Sequence, residues 1–173
     1  MSVSNVKQTR QMSLVEILGS TPQAEARVQG SAQFPKLNGV VRFYQTMRGV
    51  LVLAEVAGLP DGTERCENPV LGFHIHAGTS CTGTEADPFA DALTHYNLGD
   101  CPHPYHAGDL PPLFDNQGYA FMMVLTDRFV VDEIIGRTII IHSAPDDFTT
   151  QPAGNSGSKI ACGVIQSMEN KKR

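Results

Sequence analysis

The sequence lacks a surplus of basic residues. Its 173 residues include 13 Lys and Arg against 18 Asp and Glu, a formal net charge of −5 at pH 7. Proteins that bind nucleic acids or anionic membranes generally carry a positive excess, so this balance argues against both kinds of partner. No apolar run is long enough for a membrane span. The charged fraction of 18% and the hydrophobic fraction of 41% exclude compositional disorder, and the length fits one domain with its own core.

The compartment is left open by two opposing features. No apolar segment follows the polar residues 1–11, so no secretory signal is expected within this chain. The chain has four cysteines, however, and two disulfides would fit an oxidising compartment outside the cytoplasm.

A long segment with helical periodicity is also missing. From about residue 23, short apolar runs alternate with turn sequences such as Pro60-Asp61-Gly62, which is typical of strands joined by turns. Seven strands are predicted, at Ala24–Gln29, Val40–Gln45, Gly49–Ala57, Gly72–His76, Gly118–Thr126, Arg137–His142 and Ile160–Ile165. Short strands without intervening helices predict an antiparallel sandwich or barrel.

The chain divides into a domain at 23–167 and two tails, at 1–22 and 168–173. Ser13 and Glu16 have the spacing of a capping box, which allows a short helix in the first tail. Two long stretches, Ala77–Pro112 and Ser143–Ser158, resist strand assignment. Loops of this length inside a domain are usually functional or disordered.

All six histidines lie in these two loops or where the strands meet them. His74 and His76 are two apart on a predicted strand, so their imidazoles point the same way. His103, His106 and Asp109 are three apart, and such imidazole and carboxylate ligands suit zinc. This concentration favours a metal site over unrelated structural histidines, but the spacing does not decide between one metal ion and two.

Five motifs together resemble the copper/zinc superoxide dismutase family, in its bacterial type with a shortened zinc loop. In chain order they are GFHIH at 72–76, HYN at 95–97, HAGDL at 106–110, GRTIIIH at 136–142 and GNSGSKIACGVI at 154–165. The resemblance covers residues 23–166. It implies an all-β fold, an eight-stranded antiparallel Greek-key barrel or immunoglobulin-like sandwich, with both metals outside the barrel wall under the two long loops.

The resemblance also implies two sets of metal ligands that share one imidazole. The copper ligands are expected to be His74, His76, His95 and His142. The zinc ligands are expected to be His95, His103, His106 and Asp109. All six histidines are then used, and His95 bridges the two metals.

Three further residues receive roles from the same resemblance. Asp146 would accept hydrogen bonds from ligands of both metals. His95 and Lys159 would be catalytic, the first by carrying a proton and the second by attracting and orienting the anionic substrate.

The cysteines follow the family in part. Cys81 and Cys162 match its disulfide, whereas Cys66 and Cys101 are additional and could form a second bridge or remain free thiols. A metal-ligand role for Cys101 is less favoured, because the His and Asp set is already complete.

Two departures from the family pattern concern the metal site. The three-residue spacing of His103 and His106 is shorter than usual, so copper binding is implied more strongly than zinc binding. Lys159 stands where the family usually has Arg, which keeps the positive charge but loses the planar fork.

The activity implied is superoxide dismutation, the conversion of superoxide to dioxygen and hydrogen peroxide by Cu(II)/Cu(I) cycling. One alternative is a dismutase-like protein that stores or delivers copper with little turnover, and another is a zinc-stabilised structural sandwich. The expected partner is the superoxide anion. The sequence does not fix the oligomeric state, for which a homodimer and a monomer are both open.

Overall fold

Antiparallel strands make up most of the secondary structure in the computed structural model, which describes residues 12–60 and 69–168. The strands are β1 (Ala24–Gly30), β2 (Asn38–Thr46), β3 (Gly49–Ala57), β4 (Val70–Leu71), β5 (Phe73–His76), β6 (Leu113–Phe114), β7 (Tyr119–Thr126), β8 (Thr138–His142) and β9 (Lys159–Ser167). Two short helices, α1 (Leu14–Leu18) and α2 (Val131–Ile134), and a 3₁₀ turn at Ala90–Ala92 complete the described part. Neither of these α-helices is long and apolar enough to cross a membrane.

Seven of the described strands form one curled sheet in the order β5-β8-β9-β1-β2-β3-β7, with every neighbouring pair antiparallel. The remaining pair, β4 and β6, forms a small ladder between the two sheet edges: β4 runs into β5 through Gly72, and β6 contacts β7. The predicted all-β antiparallel class is therefore confirmed, with seven strands plus a two-stranded ladder in place of the eight expected.

The core lies inside the curl of the sheet, and β3 shows how alternation builds it. Val50, Val52 and Val56 are fully buried in the main core. The alternate residues Leu51 and Leu53 face outward and pack with Tyr44 and with Ile17 of α1. Because α1 covers this outer face, β3 reads as an almost continuous apolar run.

The capping box predicted at the start of α1 is present. The Ser13 amide donates to Glu16 Oε2 at 2.8 Å, and the Glu16 amide donates to Ser13 Oγ at 3.4 Å. These two bonds satisfy backbone donors that a helix of five residues would otherwise leave exposed. The short helix allowed by the sequence is thus confirmed.

A second, smaller apolar cluster lies on the outer face of the sheet under the first long loop. Ile140 of β8 pairs with Cys162 of β9, and both pack against Phe89 and Ala92 of the loop. Cys162 also forms the predicted disulfide with Cys81. The cluster and the disulfide together fix the loop to the face of the sheet that carries the histidines.

Candidate metal centre

Strands β5 and β8 direct three histidines to one face of the sheet. Phe73 and Ile75 of β5 point into the main core, so the alternate residues His74 and His76 point outward. On β8, Ile139 and Ile141 lie in the same core. His142 therefore shares the outer face with His74 and His76, and the three imidazoles meet there.

Backbone pairing along the free edge of β5 brings two loop segments beside these histidines. The Tyr96 amide donates to Ile75 O at 2.8 Å, and the Ile75 amide donates to Gly108 O at 2.9 Å. As a result His95 lies opposite His76, and Asp109 lies opposite His74. The loops thus cover an edge strand that would otherwise expose its backbone.

These elements gather two groups of side chains whose candidate ligand atoms all lie within 4.8 Å of one another. The four-histidine group contains His74, His76, His95 and His142. The histidine–aspartate group contains His95, His103, His106 and Asp109, so His95 belongs to both. All these residues are buried, and the structure brings together every residue that the sequence predicted as a ligand.

The nitrogens left without partners test whether these groups fit metal ions. His74 Nδ1, His95 Nε2, His103 Nδ1 and His106 Nδ1 are buried and have no hydrogen-bond partner among the described residues. Each such atom costs about 1–3 kcal/mol unless something else binds it. His76 Nε2 and His142 Nε2 face each other at 3.2 Å. Converging lone pairs of this kind repel one another, and a cation placed between them removes the repulsion.

The carboxylate of the second group shows the same convergence. His103 Nδ1 and His106 Nδ1 lie 3.1 and 3.3 Å from Asp109 Oδ2, yet neither contact has hydrogen-bond geometry. Atoms that are close but not directed at one another are typical of ligands that point at a common ion. Two imidazoles, a carboxylate and the bridging His95 form a donor set suited to zinc.

Partners outside the two groups select the tautomer of four of the six rings. Asp146 accepts from His74 Nε2 at 2.8 Å and from His103 Nε2 at 2.9 Å, which leaves both Nδ1 atoms free as ligands. Backbone carbonyls do the converse for two more rings, those of His76 and His142. His76 Nδ1 donates to Leu93 O at 2.8 Å, and His142 Nδ1 lies 3.3 Å from Gly157 O, so their Nε2 atoms carry the lone pairs.

Burial and hydrogen bonding set the charge of two candidate ligands and of the carboxylate that orients others. Burial, with the neighbouring His74, lowers the pKa of His142 to about 3, and burial lowers the pKa of His76 well below its usual value. Burial acts to raise the pKa of Asp146, but hydrogen bonds from His74 and His103 lower it well below its usual range. At neutral pH the imidazoles of His76 and His142 are therefore neutral, and the Asp146 carboxylate is ionised.

Gly154 allows the second long loop to close over Asp146. It has a φ of +65°, and a Cβ added there would lie 2.0 Å from Asp146 Oδ1 and 2.7 Å from His103 Nε2. Only glycine combines this left-handed conformation with so close an approach.

A cavity of about 580 Å³ leads to the four-histidine group and is lined by His76, His95, His142 and Lys159. Lys159 Nζ donates to Asp87 Oδ2 at 2.8 Å and to Phe89 O at 3.0 Å. Among the described residues of the lining, Lys159 is the one Lys or Arg. Lys159, the residue expected to attract the anion, thus lines this cavity, and it is paired with Asp87, a carboxylate that the sequence analysis did not single out.

Two cysteines, Cys66 and Cys101, lie outside the confirmed disulfide. Cys101 has no disulfide partner among the described residues, and the Cys66–Cys101 bridge stays a prediction. Cys66 itself lies outside the described residues. Cys101 is also absent from both groups of candidate ligands, and its backbone instead pairs with the Asn97 side chain.

Comparisons with known proteins agree with this geometry. The model of the family copper/zinc superoxide dismutase (SODC) matches residues 37–165. The Cu-Zn superoxide dismutase of Deinococcus radiodurans is 34% identical, with 79% of this chain and 81% of that protein covered. The Cu-Zn superoxide dismutase 2 of Aquifex aeolicus is 33% identical, with 74% and 78% covered.

A solved structure agrees as well. The crystal structure of a double mutant of a SOD-like protein from Bacillus subtilis superposes with a TM-score of 0.66 at 26% identity, covering 83% of this chain and 97% of that one. The metals that the family implies are copper and zinc, which suit the two groups of candidate ligands. Because the family model spans most of the sequence and the relatives exceed 30% identity over most of their length, the chain belongs to the copper/zinc superoxide dismutase family.

Proposed function

We propose that this protein is a superoxide dismutase, which converts two superoxide anions and two protons into dioxygen and hydrogen peroxide. The observation that carries the proposal is the position of His95 between the two groups. Its Nδ1 lies 2.7 Å from Asp109 Oδ1, while its Nε2 is buried among the four histidines without a hydrogen-bond partner in the described residues. One imidazole is thus available to two metal ions.

The proposed ligand sets follow the two groups. His74, His76, His95 and His142 would hold copper, and His95, His103, His106 and Asp109 would hold zinc. Bound copper would supply the one-electron redox couple that the reaction requires and that zinc lacks.

The side chains themselves do three kinds of work in this proposal. His95 would carry a proton at Nε2 when that nitrogen is not bound to copper, and would give it to the superoxide being reduced. Its contact with Asp109 through Nδ1 would keep the ring from turning. Asp146 and the carbonyls of Leu93 and Gly157 hold the rings of His74, His103, His76 and His142 in their ligand tautomers. Lys159 orients the anion within the cavity.

The proposal is tested by measuring superoxide decay in stopped-flow experiments on protein loaded with copper and zinc. We expect the decay to accelerate in proportion to bound copper, and zinc-only protein to leave it at the spontaneous rate. A His95→Ala variant with equal copper content should lose most of the acceleration. Fully copper-loaded wild-type protein without any acceleration would disprove dismutase activity.

The pairing of Lys159 with Asp87 favours a second candidate, a dismutase-like protein that stores or delivers copper with little turnover. An anion entering the cavity meets a cation that a carboxylate already neutralises. This candidate predicts slow superoxide decay together with rapid transfer of copper to a chelator, whereas the enzyme predicts fast decay and slow transfer.

A further inference from the structure

On the basis of the zinc assignment proposed above, we propose that Arg128 and Gln151 are positioning residues for the zinc segment (residues 103–109). They would hold its main chain in the shape that directs His103, His106 and Asp109 at one ion. Neither residue belongs to the motifs that carry the family resemblance, and neither is a candidate ligand.

The zinc segment must turn tightly to direct ligands only three residues apart, such as His103 and His106, at one ion. Few hydrogen bonds within its own backbone hold this shape. Its own backbone supplies two turn bonds, from the Tyr105 amide to Pro102 O at 2.9 Å and from the Asp109 amide to His106 O at 3.2 Å. At Gly108 the segment is hydrogen-bonded to β5. The part from His103 to His106 lies outside every described strand.

Arg128 supplies one support, from the connection between β7 and α2. Its Nη1 donates to Pro104 O at 2.9 Å, to His106 O at 3.3 Å and to Asp109 O at 3.2 Å. Three carbonyl oxygens turned toward one point repel each other, and a charged guanidinium placed there offsets the repulsion. Two of these carbonyls belong to candidate zinc ligands, so the contact fixes the backbone from which their side chains project.

Gln151 supplies the second support, from the second long loop. Its Oε1 accepts from the His103 amide at 2.9 Å, and its Nε2 donates to His103 O at 2.7 Å. The side-chain amide therefore pairs with the His103 backbone as a neighbouring strand would. Asp146, from the same loop, holds the ring of His103, so both the backbone and the imidazole of this ligand are fixed from one loop.

These contacts predict an effect on zinc that copper does not share. Arg128 and Gln151 touch the backbone of residues in the histidine–aspartate group, and none of their hydrogen bonds reaches His74, His76 or His142. Loss of partners that orient metal ligands typically weakens metal binding by about 10- to 100-fold. A general loss of folding would instead weaken both metals together.

The test compares Arg128→Ala, Gln151→Ala and the double variant with wild-type protein. Arg48→Ala, in the turn between β2 and β3, and Gln166→Ala, on β9, are matched controls because both residues are exposed and lie outside the zinc segment. Zinc affinity is measured by chelator competition on copper-loaded protein. Cobalt(II) placed in the histidine–aspartate group reports the ligand geometry through its visible absorption, and copper affinity and thermal unfolding are measured in parallel.

We expect each single variant to weaken zinc binding about 10-fold and the double variant further, with an altered cobalt spectrum and unchanged copper affinity. Arg128→Lys should recover part of the loss, since an ammonium also donates to carbonyls. Zinc affinity and a cobalt spectrum in the double variant that match wild type would overturn the inference. Equal losses of zinc affinity, copper affinity and thermal stability would also overturn it, because the role would then be structural only.

Superoxide decay measured on the same samples separates this inference from the proposed function. Wild-type protein that binds zinc but leaves superoxide decay unchanged would refute the activity, and the zinc series would still decide the role of Arg128 and Gln151. Wild-type protein whose histidine–aspartate group takes up neither zinc nor cobalt would refute both the zinc assignment and the positioning role.

Discussion

Lys159 Nζ lies 2.8 Å from Asp87 Oδ2, and both side chains line the cavity that leads to the four-histidine group. The hydrogen bond from Lys159 holds the pKa of the Asp87 carboxyl below its usual range, so a carboxylate lies beside the Lys159 ammonium in this pair. Its net charge is zero at the place where an anionic substrate would enter. The chain as a whole carries a net charge of −5 and does not attract an anion. Attraction of superoxide therefore depends on whether the Lys159 charge is free of its hydrogen bond to Asp87.

Replacing Asp87 with Asn should increase kcat/KM for superoxide, by about two- to fivefold at low ionic strength, because it leaves the Lys159 charge uncompensated. The gain should shrink as added salt screens the charge. Stopped-flow decay over a series of ionic strengths measures it. Asp132→Asn changes the net charge equally from a position on α2 outside the cavity lining, and should have little effect. An equal gain in both variants would show that overall charge, and not the pair, is responsible.

Replacing Lys159 with Arg should also raise kcat/KM, for a different reason. A guanidinium can keep its bonds to Phe89 O and Asp87 with one arm and present a second N–H pair to the anion, which a single ammonium does less well. Azide affinity of the copper-loaded protein, followed by visible absorption, should rise in parallel. Unchanged or lower activity in Lys159→Arg, at equal copper and zinc content, would contradict this expectation.

The local patterns of the sequence were sufficient to predict most strands and the candidate ligands. All seven predicted strands are present, with bounds within two residues of those observed, because each is a short apolar or alternating run next to turn or loop residues. The two-residue strands β4 and β6 are too short to show any alternation. The histidines could be found because few other roles explain six imidazoles confined to two loops and the adjoining strand ends.

Residues that act through the paths of the loops could not be found in this way. Asp87, Arg128 and Gln151 are ordinary polar residues within the sequence, and their partners lie 72, 19 to 24 and 48 positions away. Nothing in local spacing indicates contacts of that range. Gly154 is part of a quoted motif, but its close approach to Asp146 emerges only when both loop segments are folded.

Gly154→Ala should disturb Asp146, the carboxylate that links the two groups of candidate ligands through its hydrogen bonds to His74 and His103. The added methyl would overlap Asp146 Oδ1 and crowd His103 Nε2, in a backbone conformation that alanine also disfavours. We expect a loss of about 1–3 kcal/mol in the free energy of unfolding and weaker zinc binding, measured by urea denaturation and chelator competition. Gly136→Ala is the control, since Gly136 has a φ of +84° but no described atom within 4 Å of an added Cβ. Similar zinc losses in both variants would assign the effect to backbone conformation alone.

Asp146→Asn should weaken the binding of copper or of zinc, because an amide offers one acceptor oxygen where His74 and His103 each need one. One of the two rings would then face an N–H group and lose its ligand tautomer. A reduction of about 10- to 100-fold in affinity for copper or zinc is expected, measured as metal retained after dialysis against a chelator. Asp147→Asn is the matched control, since Asp147 accepts from Thr149 and Thr150 within its own loop. If Asp146→Asn retained both metals as wild type does, the link would have no part in holding them.

The metal-free protein should lose stability as the pH falls below about 6.5. Burial lowers the pKa of His142 from 6.5 to about 3 and that of His76 well below 6.5, so in this range the unfolded chain binds protons that the folded chain does not. Their contribution is therefore fully present above pH 6.5 and declines by up to about 1.4 kcal/mol per pH unit for each group.

Urea denaturation from pH 7.5 to 5 measures the slope, and His142→Gln, which removes one titrating group, should reduce it. Bound copper and zinc should shift the decline to lower pH, since metal ions and protons compete for the same nitrogens. A stability that stays constant between pH 7.5 and 5 in the metal-free protein would mean that these imidazoles can take up protons without unfolding the site.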